Sequence, residues 1–207
     1  MFDPRSLLIT IEGIDGAGKT TLAAALVDAL RAGGRSVELL REPGGVELAE
    51  RVRALVKDPA LEVDPRAEAL LYAAARAQLV ASRLRPLLDA GTWVVLDRFV
   101  DSSLAYQGAA RGLGIEAVRA INDFGTGGLE PDVTLLLRLD PSAGRERSRV
   151  RGEPLDRLER EPDAFFTAIA GAYDALAASA PERFRVIDAD QPPEAVLAAA
   201  RAALGET

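Results

Sequence analysis

The segment Leu7-Leu8-Ile9-Thr10-Ile11-Glu12-Gly13-Ile14-Asp15-Gly16-Ala17-Gly18-Lys19-Thr20-Thr21 sets the frame for the whole chain. An apolar run gives way to a glycine-rich loop, and then to Thr20–Ala32, whose apolar residues recur with helical period. This is G-x-x-x-x-G-K-[ST] with a strand before it and a helix after it, the context in which the pattern binds phosphate. Glycines let successive backbone N–H groups curl toward one point, and the helix N-terminus adds partial positive charge there. Lys19 supplies a point charge for β- and γ-phosphates, and the Thr20 hydroxyl can take one position on a magnesium ion. At this composition about one chain in a thousand would carry the pattern by accident, and the strand–loop–helix context lowers that further. Gly13, Ile14, Asp15, Gly16, Ala17, Gly18, Lys19, Thr20 and Thr21 are therefore read as a nucleotide-phosphate site.

Outward from that loop, short apolar runs alternate with long Ala/Leu/Arg-rich stretches. Leu7–Ile11, Val37–Leu40, Trp93–Leu96, Val133–Leu137 and Arg185–Ile187 read as strands. Their near-continuous apolarity suits strands covered on both faces, as in a parallel sheet. Helices are expected at Thr20–Ala32, Val46–Val56, Arg66–Asp89, Ile115–Phe124, Ser142–Arg151, Asp163–Ser179 and Pro193–Leu204. Gly33-Gly34, Pro43-Gly44-Gly45, Asp58-Pro59, Gly91, Gly125 to Gly128 and Pro181 punctuate them as turns. The alternation implies βαβ crossovers and a three-layer α/β domain. At about 150 residues per domain, 207 residues make one domain, with Pro141 to Pro162, strongly charged and poor in apolar residues, the expected insertion.

Composition narrows the chemistry. There is no Cys and no His, which excludes disulfides, thiolate zinc, Ser–His triads, cysteine nucleophiles and histidine proton shuttles. An enzyme built from this chain works with carboxylates, cations, hydroxyls, backbone amides or a hard metal. Of the 25 basic residues 23 are Arg, and only Lys19 and Lys57 are Lys, so a position that keeps Lys is informative. The formal net charge of -7 argues against long nucleic-acid tracks or anionic membranes as partners. Met1 to Arg5 lacks a basic region followed by an apolar one, and no uncharged run approaches the ~20 residues that span a bilayer, so a cytoplasmic protein is expected.

Trp93-Val94-Val95-Leu96 delivers Asp97 at the C-terminal edge of the sheet, where open parallel sheets hold their ligands. Asp97 there can hold magnesium, and the adjacent Arg98 suits a site that handles several phosphates. A guanine-nucleotide switch needs Asn-Lys-x-Asp, but the one Asn here, Asn122, precedes Asp123. A transporter ATPase would show Leu-Ser-Gly-Gly, which is missing. A small-molecule kinase or a minor ATPase class remains.

Five segments, in order and spacing, resemble bacterial thymidylate kinases over nearly the whole chain. They are the phosphate loop with Glu12; Arg41-Glu42-Pro43-Gly44-Gly45; Leu71-Tyr72-Ala73-Ala74-Ala75-Arg76-Ala77-Gln78; Asp97-Arg98-Phe99 with Asp101-Ser102-Ser103-Leu104-Ala105-Tyr106-Gln107-Gly108; and Arg145–Arg157 with Leu155-Asp156-Arg157. The resemblance implies a five-stranded parallel sheet in order 2-3-1-4-5 and transfer of the ATP γ-phosphoryl group to thymidine monophosphate with magnesium, on the way to thymidine triphosphate. It implies that Arg98 holds the acceptor phosphate and that Asp15 approaches the acceptor sugar hydroxyl. Tyr72 would stack on thymine, Arg76 would hydrogen-bond its edge, and Ser103, Tyr106 and Gln107 would line the sugar and base side. Glu42 and Pro43 would shape the loop over the acceptor, Lys19 and Asp97 would serve the transfer, and Thr20 and Asp97 would hold the metal. The family often carries Phe where Tyr72 stands, and flanks its Arg with Asp and His where this chain has Ala75 and Leu79. Family members are typically homodimers, and Arg66–Asp89 and Ile115–Phe124 are the helices that can supply such a face.

The missing histidine fits this acceptor. A phosphate oxygen is already ionised at neutral pH and needs no general base, so transfer reduces to alignment and charge neutralisation, for which Arg is suited. Arg145, Arg147, Arg149 and Arg151 recur every second residue, with Arg145 and Arg149 on one helix face and Arg147 and Arg151 nearly opposite. They form either a solvated surface or a lid bringing cations onto the transferring group, with Gly152-Glu153-Pro154 as its hinge. One branch of the family places a catalytic Arg at the position of Gly16; with glycine there, Arg149 is the first candidate and Arg145 the second. Tyr72 and Arg76, four apart, share a helix face, while Phe165, Phe166 and Tyr173 read as core. Arg185 to Asp190 reads either as a last strand leaving the sheet near the adenine pocket or as a plain strand end. The rival readings are a kinase for another nucleoside monophosphate or a nucleoside, and a non-catalytic nucleotide switch or assembly ATPase.

Overall fold

The computed structural model describes residues 6–150, 152 and 155–206. Arg151, Glu153 and Pro154, named above for the lid and its hinge, lie outside the described residues. Five strands form where the apolar runs stand: β1 (Leu8–Glu12), β2 (Val37–Arg41), β3 (Trp93–Asp97), β4 (Val133–Arg138) and β5 (Phe184–Asp188). All neighbours pair in parallel, in the order β2-β3-β1-β4-β5. The two faces can be read from β3. Trp93 and Val95 pack into the larger apolar core with Leu22, Leu26 and Ile169, whereas Val94 and Leu96 pack against Leu79, Val80 and Leu84. The polar side chains that the sheet buries are paired; the Thr10 and Thr134 hydroxyls lie 2.9 Å apart.

Helices cover both faces. α1 (Lys19–Ala32) follows the phosphate loop, α2 (Glu47–Lys57) follows β2, and α3 (Pro65–Leu79) opens a run that continues to Asp89. That run was expected as one helix. It is interrupted by a π turn at Val80–Leu84 before α4 (Arg85–Asp89). Pro86 explains the break, since its ring has no N–H for the Ser82 carbonyl one turn earlier.

Between β3 and β4 the chain forms a helix that the sequence reading left unassigned: α5 (Val100–Ser103) and a π turn at Leu104–Ala110. Its polar residues Asp101, Ser102, Ser103 and Gln107 are buried along with Leu104 and Ala105. The segment therefore has no amphipathic stripe to betray it. α6 (Ile115–Thr126), α7 (Pro141–Val150), α8 (Asp163–Ser179) and α9 (Pro193–Ala203) complete the fold. No helix among the described residues is long and apolar enough to cross a membrane.

The register fixes where the chemistry collects. Ile11 and Arg41 both stand opposite Asp97, so β1, β2 and β3 end side by side. The phosphate loop, the Glu42 turn and Asp97-Arg98 thereby meet at one edge of the sheet.

Candidate active site

That edge opens into a cavity of about 660 Å³. On one side lies the phosphate loop. Lys19 is buried at its base, 7% exposed, with Nζ donating to the Ile14 carbonyl at 2.8 Å. Burial pulls its pKa down to about 8, and Arg98 adds to this, while Asp15, Asp97 and Glu12 act in the opposite direction. Thr20 Oγ1 donates to Asp97 Oδ2 at 2.8 Å. These are two hard oxygen donors, and the described residues contain no cluster of three His, Cys, Asp or Glu that would form a closed cage. A magnesium ion, which takes one or two protein oxygens and completes its shell with phosphate and water, matches that donor set.

Against the loop stands Arg98, the one non-glycine with positive φ among the described residues, at 71°. Such a conformation costs about 1–3 kcal/mol and persists only where the surroundings impose it. Its guanidinium donates to Asp15 Oδ1 at 2.5 Å, Ser102 Oγ at 3.0 Å, Tyr106 Oη at 3.1 Å and the Gly13 carbonyl at 3.2 Å. For Asp15, burial raises the pKa, but Arg98, Lys19 and the Tyr106 hydroxyl outweigh it and hold the carboxyl far below the usual range.

Deeper in, Arg76 is 2% exposed and held on all three nitrogens. Nε donates to Glu42 Oε2 at 2.7 Å, Nη1 to Ser103 Oγ at 2.9 Å and to Asn122 Oδ1, and Nη2 to the Phe99 carbonyl at 2.9 Å. It lines the cavity with Tyr72, Ser103, Tyr106 and Gln107. Burial raises the Glu42 carboxyl, against the pull of Arg76. Gln107 Nε2 donates to the buried Glu68 at 2.8 Å, and Glu68 also pairs with Arg111 and Arg157.

The cavity thus brings together Asp15, Gly16, Gly18, Lys19, Thr20, Thr21, Glu42, Pro43, Tyr72, Arg76, Asp97, Arg98, Ser103, Tyr106 and Gln107. Gly13, Ile14 and Ala17 shape the loop from outside the lining; Lys19 and Arg98 hydrogen-bond two of their carbonyls. The lid arginines divide differently from expectation. Arg145 is tied to Asp163 and to the Glu161 carbonyl, with its guanidinium over the Phe166 ring, and it stays out of the cavity. Arg149 lines a separate small cleft with Arg145, Ile14 and Asp15, and pairs with Glu146 at 3.7 Å. Among the described lid arginines Arg147 is the one that lines the cavity, held by the Ala189 carbonyl and Asp190 at 2.9 Å each. The reason is tertiary: α8 and the end of β5 supply acceptors that helical spacing does not reveal.

Sequence reasoning also passed over Arg53, which reaches the Pro43 carbonyl at 3.0 Å, and the Lys57–Asp156 pair at 2.8 Å, all lining the same cavity. Lys57 carried one signal, being the second of only two lysines.

Gly16 and Gly144 let the phosphate loop and α7 approach backbone to backbone. A methyl group on Gly144 would stand 2.6 Å from the Asp15 carbonyl and 2.8 Å from Ile14 Cδ1. Gly144→Ala is therefore expected to displace the loop, costing about 1–3 kcal/mol of stability. It should also raise the KM for ATP. Thermal denaturation and ATP-dependent kinetics check this; unchanged values in both would show that the contact yields freely.

The arrangement, cations facing one another across a phosphate loop with hard oxygen donors beside it, suits transfer between two polyanions. Comparison with known proteins agrees with it. The family model described as thymidylate kinase matches residues 11–200. The thymidylate kinase of Deinococcus radiodurans is 49% identical over 98% of both chains, and that of Halorhodospira halophila 46% identical over 98% of this chain and 95% of its own. The crystal structure of thymidylate kinase from Ehrlichia chaffeensis superposes with a TM-score of 0.79 at 30% identity, covering 97% of this chain and 99% of that one. Sheet order, site chemistry and full-length similarity lead to one conclusion: this chain belongs to the thymidylate kinase family.

Proposed function

We propose that the cavity lined by the phosphate loop and Arg98 is where thymidine monophosphate meets the γ-phosphoryl group of ATP. The chain phosphorylates thymidine monophosphate to the diphosphate with ATP as donor, a step toward thymidine triphosphate. The observation that carries the site reading is the placement of Lys19 and Arg98 on either side of Asp15. A phosphate oxygen of the acceptor forms a bond to the γ-phosphorus as the bond to the β-bridging oxygen breaks, and ADP departs. No general base is needed, which suits a cavity whose described lining offers several guanidiniums and the ammoniums of Lys19 and Lys57.

In this reading Lys19 and the loop amides hold the donor phosphates, and Arg98 holds the acceptor phosphate. Thr20 and Asp97 hold magnesium, which when bound neutralises charge on the donor. Tyr72 stacks on the base, and Ser103 and Tyr106 line its sugar side. Glu68, a carboxylate, accepts only, so Gln107 gives it an N–H and keeps its carbonyl for a donor. In this reading that carbonyl accepts the ring N3–H of thymine, a position where cytosine has an acceptor nitrogen instead. Arg147, bonded to the loop after β5, serves the donor nucleotide, while Arg149 remains the candidate for the transferring group and Arg145 anchors α7 to α8. Residues 141–162 act as a lid on a single domain. Phe124, 92% exposed on α6, and the exposed Leu70 on α3 support a homodimer through these helices. A cytoplasmic place of work, where ATP is at hand, goes with this chemistry, and neither nucleic acid nor membrane is assigned as a partner.

Thermal shift with a series of monophosphates tests the acceptor. Thymidine monophosphate should raise the melting temperature at concentrations where uridine monophosphate does not, since a ligand at 100 times its Kd adds about 2.7 kcal/mol. Coupled ADP release should follow the same order. Preference for uridine, cytidine or adenosine monophosphate would overturn the acceptor assignment.

A further inference from the structure

Glu12, the last residue of β1, is 0% exposed and does not line the cavity, yet four donors converge on its carboxylate. Oε1 accepts the Phe99 N–H at 2.7 Å and the Ser102 N–H at 3.3 Å. Oε2 accepts the Ser102 hydroxyl at 2.6 Å and the Tyr173 hydroxyl at 2.9 Å. Burying a carboxylate is unfavourable unless its hydrogen bonds are made in place, so this much coordination marks a built arrangement.

The donors bracket Arg98. The Arg98 N–H goes to the Ile11 carbonyl at 3.0 Å, and the next N–H, that of Phe99, goes to Glu12. Both peptide units flanking the one left-handed non-glycine are thus tied to adjacent residues of β1. The far end of the side chain is held as well. The Ser102 hydroxyl gives its hydrogen to Glu12, which leaves a lone pair to accept Arg98 Nη1 at 3.0 Å.

We propose that Glu12 is a positioning residue for phosphoryl transfer, holding Arg98 in its left-handed backbone conformation and aiming the guanidinium into the cavity through Ser102. This rests on the reading that Arg98 holds the acceptor phosphate. Glu12 makes no contact with the substrate itself; it removes the freedom of the cation that does, which is how a supporting carboxylate raises the effective concentration of a catalytic group.

A double-mutant cycle of Glu12→Gln and Arg98→Ala tests it. Glu12→Gln alone should lower kcat/KM for thymidine monophosphate about ten-fold while changing the KM for ATP less than about two-fold. In the Arg98→Ala background the same change should cost less than about two-fold, because the group it positions is gone. Equal losses in both backgrounds, or no loss in the wild type, would overturn the role of Glu12 alone. Unchanged kinetics for Arg98→Ala would overturn the Arg98 assignment and this proposal with it. If Glu12→Gln does not fold by circular dichroism, Ser102→Ala enters the cycle in its place. It removes only the hydroxyl relay, and its loss should likewise vanish without Arg98; a loss that persists would overturn the proposal.

Discussion

Replacing Arg98 by Ala is expected to lower kcat/KM for thymidine monophosphate by about 10²–10³-fold, the usual loss when one preorganised charge-stabilising group is removed from a transfer site. Four contacts fix this guanidinium between Asp15, Ser102, Tyr106 and the Gly13 carbonyl, so it meets a phosphate without searching rotamers. Its fork matches two phosphate oxygens at once, which an ammonium cannot do. Arg98→Lys should therefore recover only part of the activity. The KM for ATP should move little in either variant, since the donor phosphates are assigned to Lys19 and the loop amides. Steady-state kinetics with each substrate varied in turn, alongside a melting curve to verify folding, decide it. An unaltered kcat/KM for the acceptor in Arg98→Ala would remove the residue from the mechanism.

Lys19→Ala is expected to cost turnover on the same scale, about 10²–10³-fold, and to weaken ATP as well. The buried ammonium carries a further signature. Its pKa in the unliganded protein lies at about 8, below the ordinary lysine value of 10.5, because burial disfavours the charge. The sign of the linkage follows. Between these two values the unfolded chain binds more protons than the folded one, so this lysine's contribution to stability rises with pH there, and its charge is unfavourable below about 8. Triphosphate favours the charged form and lifts the pKa again. Above pH 8, ATP binding should therefore take up a proton. Calorimetric titration with ATP at pH 9, in buffers of different ionisation enthalpy, measures that uptake, and Lys19→Ala should abolish it. Identical heats in all buffers for the wild type would contradict a depressed Lys19.

The sheet was legible because each strand is covered on both faces, and the resulting apolar runs need no tertiary information to be seen. The same holds for the phosphate loop, where the lone early lysine and the glycines announce their chemistry. Asp97 and Arg98 could be placed because a strand end in a parallel sheet is already an address. Tyr72, Arg76, Ser103, Tyr106 and Gln107 came from resemblance, and they do share the cavity. What stayed hidden depends on partners distant in sequence. The helix carrying Ser103 and Tyr106 hides because it buries polar side chains against Glu12, Glu68 and Arg76. Helical spacing sorts the lid arginines onto two faces and resemblance ranks them, yet Asp163, Phe166 and Asp190 decide where they point. Arg53 was one guanidinium among 23. Gly144 carries no signal in the sequence, because its close approach to the Asp15 carbonyl is a tertiary contact.

On the proposed assignment of Arg98, its pairing with Asp15 makes acceptor binding an exchange of anions. In the free protein Asp15, kept ionised by its neighbours, sits on Arg98 in the role the acceptor phosphate takes in the proposed complex. An arriving phosphate must displace it, and the freed carboxylate is then available to the sugar hydroxyl that the resemblance assigns to it. When the diphosphate leaves, Asp15 can reclaim the guanidinium. Affinity for substrate is thereby the difference between two good ion pairs, and a built-in competitor keeps the site from holding its product.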